Sequence, residues 1–192
     1  MQTFSVKPIK INKIELINLK YRLLTKIEYF KYRHYMPIDY DYWWWIEEES
    51  ETAYTKAFVD EEGYIDNLIS DNTKLGLRVA IEFDSNPFLF KSNTKEFILD
   101  GIVYTRLYTE NNRTVAISNK VLYDKLTYEV ATYIINHMNT CDTAILSEDI
   151  MNIYNLTIAK EKEIDDTPIA LPKGAISNLY EIMLNHDKQL VL

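Results

Sequence analysis

The chain is poor in the residues that bend or cross-link a backbone. Its 192 residues include four glycines, five prolines and one cysteine. A single thiol excludes an internal disulfide framework and any zinc site built on cysteines. So little glycine and proline excludes a collagen-like or linker-dominated chain. No stretch of 18 apolar residues occurs, so no segment reads as a transmembrane helix and no membrane partner is expected. The opening residues, MQTFSVKPIKINKIEL, lack the apolar centre of a secretory signal, which makes the cytoplasm the expected location. None of GxGxxG, Walker A, GxSxG or HExxH is present.

What is abundant is aromatic. Aromatic residues make up 13% of the chain, with fifteen tyrosines and three tryptophans, and hydrophobic residues make up 47%. That composition is enough for a packed core and argues against wholesale disorder. The length fits one ordinary domain or two small ones. The net charge of −8 is unevenly spread. Residues 1–35 hold eight basic and two acidic side chains, whereas residues 36–71 hold one basic and eleven acidic. Duplex DNA binding rests on phosphate neutralisation, so an acidic chain is a poor candidate for it.

Periodicity divides the chain near residue 88. Residues 4–24 read as strand material. Thr25-Lys26-Ile27-Glu28 has the form of a capping box and opens a short helix to about His34, with Pro37 beyond its end. Strands are expected over residues 53–59, 64–69 and 75–83, with a turn at Asp60-Glu61-Glu62-Gly63 in which Gly63 can take positive φ. Residues 84–95 read as a connector. Glu96–Tyr108 and Thr114–Ser118 then read as two strands of a hairpin. Leu122, Leu126, Val130, Ile134 and Met138 recur every four residues and predict a helix over 120–138. A short helix is expected from Ser147 to about Asn155, a charged loop over 160–173 and a last helix from Ala175 to about Asn185. The expected fold class is α+β: a strand-rich domain over residues 1–88, then a β-hairpin and helical module over 89–192.

The candidate chemistry lies between residues 39 and 78. Trp43, Trp44 and Trp45 form an aromatic run. Alternation along a strand sends Trp44 one way and its neighbours the other. Trp44 is therefore assigned to the core, and one of Trp43 or Trp45 to a stacking or recognition surface. Glu47, Glu48, Glu49 and Glu51 form an acidic run, extended by Asp60, Glu61, Glu62, Asp66 and Asp71. It reads as a solvated face or a contact for a basic partner. Consecutive glutamates do not converge on a cation without a special turn, so no metal is expected. Arg78, between Leu77 and Val79, reads as a structural arginine paired with a carboxylate or as a ligand contact. Gly63 and Gly76 are assigned structural roles. His34, His137, His186 and Cys141 make no metal or catalytic constellation, and no catalytic residue or cofactor is expected.

Several of these pieces occur in a familiar order. They are Leu23-Leu24-Thr25-Lys26-Ile27-Glu28-Tyr29-Phe30-Lys31-Tyr32, then Trp44-Trp45-Ile46, then Ala57-Phe58-Val59-Asp60-Glu61-Glu62-Gly63, then Gly76-Leu77-Arg78-Val79-Ala80-Ile81. Over residues 23–83 the chain resembles a domain of unknown function found in low-GC bacteria and their phages, with a WWLRSPG, DG and GVRPAL signature. That family resembles C-type-lectin-like folds, in which a central tryptophan cluster and a late arginine strand support a loop-bearing ligand surface. The resemblance implies a binding scaffold. The chain departs from the signature where Glu47-Glu48-Glu49-Ser50 replaces Arg-Ser-Pro and where Val79 replaces proline.

These features point to a non-enzymatic interaction protein of phage type. It would bind a basic partner protein through Trp43, Trp45, Glu47, Glu48, Glu49, Asp60, Glu61 and Glu62. One version is an anti-CRISPR-like inhibitor that occupies the basic groove of a nucleic-acid-handling effector. The alternative is a glycan or small-ligand module of lectin-like fold.

Overall fold

The computed structural model describes residues 7–47, 55–68, 73–90, 94–140, 151–152 and 155–159, with the side chain of Leu68 excepted. In chain order the strands are β1 (Ile9–Ile11), β2 (Lys20–Arg22), β3 (Trp44–Trp45), β4 (Lys56–Val59), β5 (Ile65–Leu68) and β6 (Leu75–Leu77). They continue with β7 (Ala80–Asp84), β8 (Glu96–Leu99), β9 (Ile102–Glu110), β10 (Arg113–Ser118), β11 (Tyr123–Leu126) and β12 (Thr157–Ile158). Helix α1 spans Lys26–Tyr32 and helix α2 spans Tyr128–Thr140. Two six-stranded sheets result, ordered β1-β8-β9-β10-β7-β2 and β12-β11-β6-β3-β4-β5. The fold is therefore strand-rich α+β, and no helix among the described residues is long and apolar enough to cross a membrane.

Helix α1 starts where its sequence says it should. The Thr25 hydroxyl accepts from the Glu28 amide, and the Glu28 carboxylate accepts from the Thr25 amide. Two tight hairpins follow equally local rules. Asp100 and Gly101 join β8 to β9 with φ of 52° and 79°, and Asn111 and Asn112 join β9 to β10 with φ of 51° and 60°. Two consecutive positive φ values are what a two-residue type I′ connection requires. The first hairpin divides the stretch Glu96–Tyr108, expected as one strand, into β8 and β9.

The boundary expected near residue 88 does not separate two units. Each sheet takes strands from both sides of it. β1 pairs in parallel with β8, β7 pairs antiparallel with β10, and β6 pairs antiparallel with β11. The stretch 75–83, expected as a single strand, supplies β6 to one sheet and β7 to the other. It crosses between them at Arg78-Val79. The segment from β10 to β11 crosses alongside it. The Ser118 amide donates to the Val79 carbonyl and the Leu122 amide to the Leu77 carbonyl, at 2.9 and 2.8 Å. A two-stranded ribbon thus threads both sheets and ties the two halves together.

The helix expected over 120–138 begins later, at Tyr128. Residues i and i+4 share a face in a strand as well as in a helix, so the four-residue repeat fitted both. Leu122 lies just before β11 and Leu126 ends it, while Ile134 and Met138 lie in α2, and all four enter one apolar cluster. Thr127 marks the true start: its carbonyl accepts from the Ala131 amide and its hydroxyl from the Val130 amide. Met151 and Asn152 are helical, consistent with part of the helix expected at Ser147–Asn155. The loop expected over 160–173 and the helix expected at Ala175–Asn185 lie outside the described residues.

Alternation along the strands fills two cores. Trp45, Phe58, Ile81, Phe83 and Phe97 pack with Ile134, Ile135 and Met138 of α2. Trp44, Ala57, Val59, Ala80 and Ile117 pack with Tyr29 and Tyr32 of α1. Helix α2 is fixed to β2 by Asn139, which accepts from the Tyr21 amide and donates to the Tyr21 carbonyl, at 2.7 and 2.8 Å.

Candidate binding site

The three consecutive tryptophans take three different environments. Trp44 is 2% exposed and pairs edge-to-face with Tyr29, with ring centres 5.8 Å apart. Trp45 is 1% exposed, and its indole N–H donates to the Leu126 carbonyl at 2.8 Å. This corrects the expectation that Trp45 could serve a recognition surface. A second apolar core lies on its side of β3, and its one polar atom is satisfied inside. Trp43 is the exposed member, at 40%. Its ring stacks on Phe58 with centres 5.2 Å apart and planes 18° from parallel, and its indole N–H donates to the Glu61 carboxylate.

The acidic residues near Trp43 do different jobs. Glu61 and Glu62 are exposed in the turn after β4. Asp60 shapes that turn: its Oδ1 accepts from the Glu62 and Tyr64 amides, at 2.9 and 2.8 Å. Gly63 has φ +84°, and its carbonyl accepts from the Tyr29 hydroxyl at 2.7 Å. That bond joins the acidic turn to α1. The Glu47 side chain is exposed, and its amide donates to the Leu24 carbonyl at 2.8 Å. Glu48 and Glu49 lie outside the described residues. Gly76 sits where its amide donates to the Trp43 carbonyl at 2.7 Å, and an added Cβ would lie 2.6 Å from Val121 Cγ1.

Arg78 is the least expected feature. It is 2% exposed, yet among the described residues it forms no ion pair with a carboxylate. Its Nε and Nη2 donate to the Ser118 carbonyl at 3.1 and 2.8 Å, and Nη2 donates also to the Asn119 carbonyl at 3.2 Å. These carbonyls belong to the segment that crosses between the sheets. The carboxylate partner expected from sequence is thus replaced by backbone oxygens and by the face of Trp44, with the guanidinium carbon 5.0 Å from the ring centre. Burial lowers the Arg78 pKa to about 10, against the opposing pull of Asp39 and Tyr29. The group is still cationic at neutral pH.

Beside Arg78 lies a cavity of about 330 Å³. Tyr29, Trp44 and Arg78 form its buried wall, while Arg33, Asp39 and Asp60 contribute charge nearer solvent. Helix α1, the loop after it, the acidic turn and the crossover all meet there. Sequence reasoning reached Trp44, Asp60, Glu62, Gly63 and Arg78 but missed Tyr29, Arg33 and Asp39. Tyr29 follows the capping box directly and is buried, but Ile27 and Phe30 on the same short helix are exposed, so the apolar pattern of α1 does not single it out. No sequence signal placed Asp39 near Arg78, because that proximity depends on the long-range crossover.

A half-buried ion cluster braces the other side of α1. Arg22 donates to both oxygens of Glu28, at 2.8 and 2.6 Å, and to Glu82 at 3.0 Å. Arg113 continues it to Glu82 and Asp84, at 3.0 and 2.8 Å. Burial pushes the Glu28 pKa up. Hydrogen bonds from Arg22, Tyr108 and the Thr25 amide, with the Arg22 charge, outweigh it and hold the group at about 2. This cluster joins α1 to the first sheet and so positions the cavity wall. Among the described residues no group of three or more His, Cys, Asp or Glu is arranged to hold a metal ion. No family model, curated protein or solved structure matches the chain.

Proposed function

We propose that this chain is a non-enzymatic binding protein, lectin-like in scaffold, that engages a basic partner protein through an acidic and aromatic face. The observation that carries the reading is Trp43. A large aromatic is 40% exposed while its ring is held against Phe58 and its indole N–H against Glu61. A preorganised aromatic loses little conformational freedom on binding, which suits an interface anchor. Exposed Glu47, Glu61 and Glu62 surround it in sequence, and the same stretch exposes Tyr40 and Tyr64 at 64% and 62%. Charge of one sign accelerates encounter with an oppositely charged partner and sets specificity. One version of the partner is a nucleic-acid-handling effector with a basic groove, which the face would occupy as an inhibitor. The test is capture of a partner from native cell lysate, followed by association kinetics of Trp43→Ala and of Glu47→Gln/Glu61→Gln/Glu62→Gln across a salt series.

A second reading, a small-ligand module, is favoured by the cavity that contains a buried, cationic Arg78. Its volume is at the lower end of the range for small-molecule sites, and it combines apolar walls with a few converging charges.

A further inference from the structure

The guanidinium of Arg78 presents five N–H groups, and its three hydrogen bonds involve only Nε and Nη2. Nη1 donates to no described residue, although the side chain is 2% exposed and lines the cavity. A buried cation without a paired anion is costly, because Coulomb attraction does not offset its desolvation. A carboxylate entering the cavity would meet both needs, as counter-charge and as acceptor for Nη1.

The rest of the lining narrows the ligand class. Among the described residues that line the cavity, Arg33 is the only other side chain with a permanent positive charge, and Asp39, Asp60 and Glu62 are negative. Three acids against two arginines among the described lining residues disfavour a dianion such as phosphate. They favour a ligand that carries its own cation beside its carboxylate. Asp39 is the natural site for that cation. It lies close enough to act on the Arg78 charge, and it is engaged by the Val121 amide at only 3.2 Å. Asp60 is already committed to its turn through Oδ1. Met36, Ile38 and Val59 supply apolar lining for a short aliphatic tail.

We propose that the cavity binds a small zwitterion of the amino-acid class, its carboxylate on Arg78 and its ammonium group on Asp39. This inference rests on the small-ligand reading and adds the ligand class to it.

Calorimetric titration of the full chain with four probes tests it: L-leucine, 4-methylpentanoate, isoamylamine and N-acetylglucosamine. Leucine should bind saturably. The two analogues that lack one charged group should each bind about tenfold more weakly or worse, a difference well within the reach of one charged contact. Arg78→Lys should abolish leucine binding. Asp39→Asn retains an oxygen for the Val121 amide, so it serves as the second variant should Arg78→Lys fail to fold by circular dichroism. It should bring leucine down to the affinity of 4-methylpentanoate. Leucine affinity unchanged in Asp39→Asn, or isoamylamine binding as tightly as leucine, overturns the proposal. Binding of N-acetylglucosamine but not leucine overturns it and leaves the small-ligand reading standing. Failure of all four probes to bind removes both.

Discussion

Arg78 lies over the ring of Trp44 at the point where the chain passes from one sheet to the other, with the guanidinium carbon 5.0 Å from the centre of the indole ring. Each makes the other's burial tolerable. The indole covers a charge that has no carboxylate partner among the described residues, and the guanidinium holds the Ser118 and Asn119 carbonyls at the crossing. Trp44→Ala should therefore cost about 3–5 kcal/mol, the usual range for emptying a large aromatic site. Urea unfolding measures it. A midpoint shift worth less than about 1 kcal/mol would show that the indole contributes little to the core.

The close approach at Gly76 gives a second expectation. A methyl group there meets Val121 Cγ1 at 2.6 Å and the Trp43 carbonyl oxygen at 3.0 Å. Gly76→Ala should destabilise by about 1–3 kcal/mol, as overpacking does. Val121→Ala in the same chain should restore part of the loss, since contacting sites couple. Additive losses in the double variant would contradict the contact.

The Glu28 cluster predicts the response to acid. The folded pKa of about 2 lies below the ordinary value of 4.5. The stabilisation is therefore complete above about pH 4.5 and is lost as pH falls towards 2. After solvent screening it is worth about 2 kcal/mol. Glu28→Gln should lower stability at neutral pH and flatten the decline between pH 4.5 and 2. An unchanged slope in a pH series of thermal melts would place the acid sensitivity elsewhere.

Interleaved strands make the two halves interdependent. A fragment of residues 1–88 leaves β1, β6 and β7 without β8, β11 and β10. It should show no cooperative thermal transition by circular dichroism. A cooperative transition in that fragment would restore the boundary that the sequence suggested.

Local rules were readable from sequence and long-range ones were not. The Thr25–Glu28 cap, the positive φ of Gly63 and the burial of Trp44 each follow from a few neighbouring residues, and all are present. Asp100-Gly101 is an equally local hairpin signal, and it divides the stretch expected as one strand. Period alone misassigned residues 120–126, because a repeat of four suits both strand and helix. The split at Arg78-Val79 had no local sign. Nothing in an apolar run shows that its two ends pair in different sheets. Trp45 shows the same limit. Alternation separates Trp44 from its neighbours, but only the presence of α2 behind β3 makes the Trp45 side a core.

The proposed face makes one direct demand on kinetics. Once a partner has been captured and identified, its association with the full chain should be followed by biosensor from low to high salt. Glu47→Gln/Glu61→Gln/Glu62→Gln should slow association and flatten its salt dependence while the circular dichroism spectrum is unchanged. Trp43→Ala should chiefly raise the dissociation rate. Unaltered association rate and salt slope in the triple glutamine variant would contradict the account and reduce the acidic surface to a solvated face.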